Sequence, residues 1–541
     1  MISDVLVGHL PFLISALVLF WVLSTIIYRR YFHPLSKVPG PFLWSISTLP
    51  IFYHQGLREG QLMHVLPGLH AKYGPVVRIS PNEVHLSDPE AYDKIHNVGT
   101  KFYKDPSFYS PLDGVLRTPI ILTIISNDQH RVRRGAITPF FSRRSVLELE
   151  GMVLDKAKKL IRLMEDVFLS TNNQTEPKKE AAVFDMHHAI RAFSVDVITE
   201  YAYARCWNQM DAKDYGKDYQ DAIRSIQGFM PYLLSFPAIV LPIFGLLPDG
   251  LLKAASPPFR RWIESVEVVN AAVIEVRNQI AQGIKPARRT IFHDLMEPPV
   301  SVEDEKMMPE GMKHRQSLSD ETVLGDAVNV TGAGAETTGS TTARAIFEVL
   351  SNPGIYQRLS QELRDEFPDG IDSMTLPALE KLPLLTGVIK EALRLNPGLP
   401  GHLPRVVPPS GATFNGYTLP GGTSVSMSAW VQHHNPEAFP NPTVFDPYRW
   451  INNDVDKLRF QDKHMIHFGR GTRNCVGQNL AMCELYVSLA AIFHRFGYDA
   501  APGEGRLEAE PGFVREDLRI VELILGYHPV NARKFGIIMR R

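Results

Sequence analysis

Cys475 is one of three cysteines in 541 residues, and the stretch around it, "FGRGTRNCVGQ" (Phe468 to Gln478), supplies three glycines and two arginines. A cysteine so placed can serve as a reactive nucleophile, as a thiolate metal ligand, or as a small buried side chain at a turn. The other two, Cys206 and Cys483, are too few and too scattered to build a disulfide framework, which points to a reducing compartment and a free sulfur at Cys475. The residues after Gly477 read as an amphipathic helix, with Leu480, Leu485, Leu489 and Ile492 available to a core. Cys475 then sits just ahead of a helix amino terminus, where free backbone N–H groups and the helix dipole favour a thiolate. Gly471 and Gly477 leave room for something large and flat, and Arg473 can pair with an acidic group at its edge. Haem has that shape and carries two propionates.

Two further stretches hold groups able to carry protons or charge. In "LSDETVLGDAVNVTGAGAETTGSTTARAIFEVL" (Leu318 to Leu350), Ser319 is a candidate N-cap with Asp320 and Glu321 in the first turn of a helix long enough to cross a domain. Gly332, Gly334, Glu336, Thr337 and Thr338 fill the middle of a buried helix poorly unless something approaches closely or the helix is distorted. In "TGVIKEALRLNP", Glu391 and Arg394 are three apart and share a helix face among apolar neighbours.

These residues together resemble the cytochrome P-450 family, the haem-thiolate monooxygenases. Phe468, Gly471, Arg473, Cys475 and Gly477 match every fixed position of its F-x-x-G-x-R-x-C-x-G haem signature. "AGAETT" resembles the A-G-x-(D/E)-T-(T/S) oxygen-activation motif as Ala333, Gly334, Glu336, Thr337 and Thr338. The resemblance implies that Thr337, with Glu336 and water, relays the protons that dioxygen cleavage consumes. Glu391 and Arg394, with Arg449 of "FDPYRW" (Phe445 to Trp450), resemble the E-x-x-R helix and the later aromatic-P-x-R element, which implies a buried charge network beneath the haem. "NDQHRVRRGAITPFFS" (Asn127 to Ser142) is similar to the family's C-helix, with His130 where tryptophan is common and Arg134 at the propionate-binding arginine. Arg405 in "GHLPRVV" resembles the propionate-binding arginine of the first sheet. The implied cofactor is haem b, its iron held by the Cys475 thiolate, which pushes electron density towards the metal.

The elements that must position these groups follow from periodicity. "RSVLELEGMVLDKAKKLIRLMEDVFL" (Arg144 to Leu169) and "AIFEVLSNPGIYQRLSQELRDEF" (Ala345 to Phe367, broken at Pro353) carry helical spacing. Val76 to Asp88 alternates as strands turning at Pro81-Asn82, and Ala412 to Trp430 has hairpin-like turns at Asn415-Gly416 and Pro420-Gly421-Gly422. The expected fold is mainly α with small β-sheets, which the resemblance implies to be the cytochrome P-450 fold, preceded by a transmembrane helix. Val5 to Tyr28 is almost wholly apolar, and in a helix it would extend about 36 Å, enough for a ~30 Å hydrocarbon core. Arg29 and Arg30 follow it, so the positive-inside rule sets the body in the cytosol. The expected organisation is an anchor over 1–30, a proline-rich hinge over 31–42 and a haem-thiolate domain over 43–541. Phe229 to Pro248 is apolar but interrupted by prolines, and reads as part core and part a loop dipping into the bilayer. The polar stretches Ser170 to Glu180, which holds the sequon Asn173-Gln174-Thr175, and Glu297 to Ser317 read as surface loops.

A formal net charge of -1 gives no electrostatic reason to expect nucleic acid as a partner. The resemblance implies a monooxygenase of the endoplasmic reticulum membrane, most like filamentous-fungal secondary-metabolism members of the trichodiene oxygenase type. It would insert one atom of O2 into an apolar small molecule, a terpenoid or polyketide skeleton. No dinucleotide-binding fingerprint is evident, so electrons would come from an NADPH-dependent cytochrome P-450 reductase on the same lipid surface. Arg459, Lys463, Arg470 and Arg473 cluster around the thiolate loop as candidate docking charges. By family position, Phe108 to Ile125, Ala327 to Gly332 and Leu399 to Leu403 should line the substrate pocket. The rival readings are a haem-thiolate isomerase or dehydratase and a non-catalytic haem-binding protein.

Overall fold

The apolar amino terminus forms α1 (Ile2–Ile27), continued by a π-helical turn at Tyr28–Phe32. The stretch Phe12–Phe32 is long and apolar enough to cross a membrane, and none of its apolar window is buried against the body. The hinge that follows is not a free spacer. Arg78 donates its backbone N–H to Pro39 O at 2.7 Å and Nη1 to Arg29 O at 2.9 Å, while Leu35 and Val38 are buried in the core. A proline lacks a donor but keeps its carbonyl, and one buried arginine uses that acceptor to fasten the hinge to the body. The computed structural model describes residues 2–116, 120–170, 182–284, 288, 290–296, 318–452, 454–499, 505–518, 520–522, 526–527 and 533–540. Ser170 ends a helix, while the rest of that polar stretch, Asn173 included, and Glu297 to Ser317 lie outside the described residues.

A five-stranded sheet stands near the anchor. Its strands are β1 (Val76–Ser80), β2 (Glu83–Leu86), β3 (Tyr103–Lys104), β4 (Arg405–Val406) and β5 (Ser424–Ser426), in the order β1-β2-β5-β4-β3. The expected β1–β2 turn forms, and so does the Asn415-Gly416 hairpin, whose central φ angles of 44° and 85° are the type I′ pattern. The Pro420-Gly421-Gly422 turn does not make a second hairpin. Gly422 N–H donates to Val407 O at 3.0 Å and Val407 N–H to Thr423 O at 2.9 Å, so β5 is drawn into the larger sheet, antiparallel to β4 and parallel to β2.

The helical body is built on α2 (Asn127–Ile137), α3 (Glu150–Ser170), α4 (Met186–Tyr203), α5 (Lys217–Gln227), α6 (Pro257–Ala281), α7 (Asp320–Leu350), α8 (Pro383–Leu395) and α9 (Gln478–Arg495). The helix expected over Arg144 to Leu169 is two, Arg143–Leu147 and α3. Ser319 caps α7 as expected, its Oγ accepting from Thr322 N at 3.3 Å. Two glycines of α7 exist for helix packing. A Cβ on Gly334 would lie 2.9 Å from Ile198 Cγ1, and one on Gly339 would lie 2.8 Å from Arg191 Cγ, so α4 presses directly on this face. Gly332 instead faces open space. Leu485, Leu489, Ile492 and Phe493 of α9 join α3, α7 and α8 in one buried cluster, each worth ~1.5–3 kcal/mol of burial. This fixes the start of α9 beneath α7.

Phe229 to Pro248 divides at Phe236 into two short helices, Met230–Ser235 and Pro237–Leu246. Met230 and Leu233 are buried, whereas Ile239, Ile243 and Leu246 are exposed. Phe52, beyond the hinge, stacks edge-on against Tyr232 and Phe236 at 5.3 and 4.9 Å, so the first of the two short helices packs against the segment that follows the hinge.

Candidate active site

The Cys475 loop is a tight turn closed by its own backbone. Cys475 N–H donates to Phe468 O at 2.7 Å, a 3₁₀ turn spans Gly471–Arg473, and Gly469 and Gly471 take φ of 65° and 67°. Against the protein itself the two glycines differ. A Cβ on Gly471 would overlap the carbonyl oxygen of His96, so this residue is needed for the loop to rest on its neighbour, while a Cβ on Gly477 would make only ordinary contact with Cys475 Sγ, at 4.0 Å. α9 begins at Gln478, as read from the sequence. The sulfur is solvent-accessible, yet burial is the leading influence on its pKa and pushes the thiol up, against the Gly477 N–H and Arg134, which favour the thiolate. Cys475 therefore stands on an internal wall. The helix terminus alone does not hold it as thiolate, and a bound cation is what would complete that charge.

Around the loop the chain gathers more positive charge than the sequence disclosed. Lys104 and Arg405 face one another across β3 and β4, and burial, Arg405 and Arg473 together push the Lys104 pKa well down. Burial and Arg405 likewise bring Arg473 down to about 10. His130 is buried and held neutral, its pKa lowered to about 3 by burial and by Arg473, Lys104, Arg134 and Arg405. Asp113 is the acid that offsets Lys104. Four buried or half-buried cations beside an accessible sulfur form a setting that fits a flat group with an iron centre and two carboxylates. Lys104 escaped the sequence reading because only strand pairing brings it to Arg405.

Three of the expected propionate partners spend donors on the protein. Arg134 donates Nη1 to Asn474 O and Nη2 to Asn474 Oδ1, the latter at 2.7 Å, bracing the residue next to Cys475. Arg473 donates to Ile124 O at 2.9 Å, Ile125 O at 3.1 Å and Asn127 Oδ1 at 3.0 Å, tying the loop to the start of α2. Arg405 Nη1 reaches Tyr109 OH at 3.0 Å. Arg470 is bonded to Asp93 Oδ1 at 2.6 Å and to two carbonyls, which makes it a fastener of the loop.

The Glu391 network forms as expected, with one member more. Glu391 accepts from Arg394 Nη2 at 2.6 Å, Arg449 Nε at 3.0 Å and Trp450 Nε1 at 3.0 Å, all buried. The positive excess is absorbed by carbonyls, Arg394 Nη1 donating to His433 O at 3.0 Å and Pro442 O at 2.6 Å. His433, buried and neutral, carries the network onward. Its Nδ1 donates to Arg394 O at 3.0 Å and its Nε2 accepts from Ile466 N at 3.0 Å, at the head of the Cys475 loop.

On α7 the expected pair comes apart. Glu336 is buried and accepts from Arg191 Nε at 3.0 and 3.1 Å, with Arg224 Nε at 3.8 Å, so its carboxylate faces α4 and α5. Consecutive helical residues point about 100° apart, and Thr337 takes the other side, where its hydroxyl donates to Ala333 O at 2.8 Å. One turn earlier, Val328, Asn329, Gly332 and Ala333 wall a cavity of ≈ 150 Å³. Leu112, Ile120 and Leu122 line it as the family position implied, whereas Ile223 and Met230 from α5 and its extension, and Trp262 from α6, were not foreseen. None of Leu399 to Leu403, expected to line the pocket, is among the residues lining this cavity; just before that segment Gly398 presses on Thr337, a Cβ there falling 2.9 Å from the threonine Cβ.

Comparison with known proteins gives the fold and the family. The chain's fold is shared with the heme domain of cytochrome P-450DA, with a TM-score of 0.67 at 17% identity over 93% of this chain and 97% of that one. Cytochrome P-450 monooxygenase MO6277 of Ascocoryne sarcoides is 31% identical, covering 90% of this chain and 92% of the relative. Cytochrome P-450 monooxygenase TRI4 of Trichoderma arundinaceum is 31% identical over 87% and 85%, and tryptophan 6-hydroxylase fscE of Fusarium equiseti is 30% identical over 90% of each. The cytochrome P-450 family model matches residues 39–521, from the hinge that Arg78 fastens through the whole cysteine loop. With fungal monooxygenases along nearly its full length and that family's model across its body, the chain belongs to the cytochrome P-450 family and is a haem-dependent monooxygenase.

Proposed function

We propose that this chain hydroxylates or epoxidises an apolar secondary metabolite of terpenoid or polyketide type, with Cys475 as the axial ligand of haem b. The observation that carries the reading is an accessible Cys475 sulfur beside the Lys104, Arg405, Arg473 and Arg134 cluster, with an apolar cavity along the Thr337 face of α7. The haem, when bound, supplies the activation of dioxygen that side chains cannot. The chain's own part is positional. Arg134 and Gly477 N–H hold negative charge on the sulfur, Lys104 and Arg405 offer cations to the propionates, and neutral His130 adds an N–H donor. Thr337 Oγ, already donating to Ala333 O, can accept a proton from water and pass its own on towards the cavity.

Glu336 serves α7 differently in this reading. Bound by two buried arginines, it fixes the register of α7 against α4 and α5, and reaches the proton path only if one arginine releases it. The apolar lining favours an apolar skeleton, although a relative at 30% identity is named for tryptophan hydroxylation, so the substrate must be found by trial. The anchor and the exposed apolar helix fit a catalytic domain seated on the cytosolic face of the endoplasmic reticulum, taking electrons from NADPH through a membrane-bound reductase.

Co-expression with a cytochrome P-450 reductase, feeding of candidate apolar scaffolds and a search for products one oxygen heavier tests activity and substrate together. Product without NADPH or O2 consumption would favour an isomerase or dehydratase; a thiolate-type carbon monoxide band without any turnover would favour a haem-binding protein.

A further inference from the structure

The cavity beside α7 contains a mismatch. Its walls are mostly apolar, with Leu112, Ile120, Leu122, Ile223 and Trp262 among them, yet amide side chains from two helices also line it: Gln227 at the end of α5 and Asn329 on α7. Gln227 Oε1 is buried and has no hydrogen-bond partner. An apolar side chain of the same size would avoid that desolvation cost, and the amide is accounted for if a ligand supplies the missing donor. The neighbouring Ser265 does not relieve it, its Oγ being spent on Trp262 O at 2.7 Å.

Asn329 stands on the cavity face of α7 three and four residues before Gly332 and Ala333, and Thr337 lies one turn beyond Ala333. Eight residues of helix separate Asn329 from Thr337, about 12 Å along the axis. We propose that Gln227 and Asn329 form a polar anchor that selects substrates bearing one hydroxyl or N–H group on an otherwise apolar skeleton, held two helical turns from Thr337. The proposal rests on the reading of this cavity as the substrate site. Gln227 Oε1 is sealed off from the cavity, so a turn of the amide about χ3, a broad and soft torsion, is needed to present it; a hydroxyl can then donate to it and accept from the Asn329 amide, satisfying both. A hydrocarbon leaves the glutamine oxygen unpaired, and an ether of nearly the same size has no hydrogen to give.

Equilibrium dialysis of the full-length, haem-loaded protein against adamantane, 1-adamantanol and 1-methoxyadamantane tests this without reductase or NADPH. The alcohol is expected to bind roughly tenfold tighter than either of the others, the effect of one satisfied buried amide. Gln227→Met and Asn329→Leu should each erase most of that preference while adamantane binding persists, with the carbon monoxide spectrum confirming that each variant retains haem. Equal affinities, a tighter hydrocarbon, no binding by any of the three, or a preference that survives both substitutions overturns the anchor. Should a variant lose its haem, the order measured on the unmodified protein decides alone. Turnover with reductase reads the cavity's use as a substrate site separately, so a failure of either idea is told apart from a failure of the other.

Discussion

Lys104 and Arg405 are register partners on adjacent antiparallel strands, two cations facing each other in the interior of the protein. Directly opposed like charges weaken a strand pair by up to ~1 kcal/mol, and burial with Arg405 pushes the Lys104 pKa well down. A depressed folded-state pKa means that stability is lost as pH falls from the unfolded value, about 10.4, towards the folded one. Lys104→Met is therefore expected to stabilise the apoprotein at pH 7 by ~1 kcal/mol and to release haem roughly tenfold faster, since a charge-assisted bond to a propionate is gone. Thermal unfolding of the apoprotein and haem transfer to excess apomyoglobin read the two effects, and changes of the same sign would remove Lys104 from the cofactor site.

Glu391 pairs with both Arg394 and Arg449. Glu391→Ala strands two buried guanidinium groups, a loss of ~3–5 kcal/mol against a total of ~5–15 kcal/mol, and no haem-thiolate protein is expected. His433→Leu breaks a thinner link, the two hydrogen bonds joining Arg394 O to Ile466 N, at ~1–3 kcal/mol. It should lower haem content several-fold without abolishing it. The reduced carbon monoxide difference spectrum per milligram of protein ranks the two.

What could be read from the sequence was what local geometry dictates. Glu391 and Arg394 share a helix face at any three-residue spacing, and the Cys475 loop announces itself through closely spaced glycines, though the contact of Gly471 with His96 was not legible there. Lys104 was invisible because two-residue strands carry no periodicity and its partner lies far along the chain. The separation of Glu336 from Thr337 was within reach of helical geometry alone. Its cause was not, since Arg191 and Arg224 come from helices whose packing no motif records. The α5 and α6 walls of the cavity were missed for the same reason.

The direction of Glu336 separates two roles that the motif joins. Glu336→Gln removes the negative charge between Arg191 and Arg224, and a stability loss of ~3–5 kcal/mol is expected. Thr337→Ala removes a hydroxyl bonded only to its own helix, so stability should move within ~0.5 kcal/mol, while product formed per NADPH falls ~100-fold through the lost proton path. Thermal midpoints and coupling ratios, measured on both variants, distinguish them. An unmoved midpoint with lost coupling in Glu336→Gln would return the carboxylate to the proton relay.

His402 lies between Gly398, which presses on Thr337, and Arg405. Burial alone would lower its pKa, but Glu83 and Glu522 outweigh it and raise it to about 9, with Nδ1 at 2.9 Å from Glu522 Oε1. Glu522 also accepts from Gln55 Nε2 at 3.3 Å, which joins this histidine to the segment that follows the hinge. A raised folded-state pKa contributes stability that is complete below the unfolded value, about 6.5, and is lost as pH climbs through the folded one. The thermal midpoint of the holoprotein should accordingly fall between pH 6.5 and 9, by up to ~3 kcal/mol in stability. His85, also within reach, does not give that slope, because its pKa is held well down by burial; Glu83, whose own pKa burial raises, loses its proton with the same sign, and a substitution at His402 separates the two. His402→Gln keeps a hydrogen bond to Glu522 without the proton, so the variant should show a flat midpoint across the same range. A slope that persists in the variant would assign the pH dependence to another group.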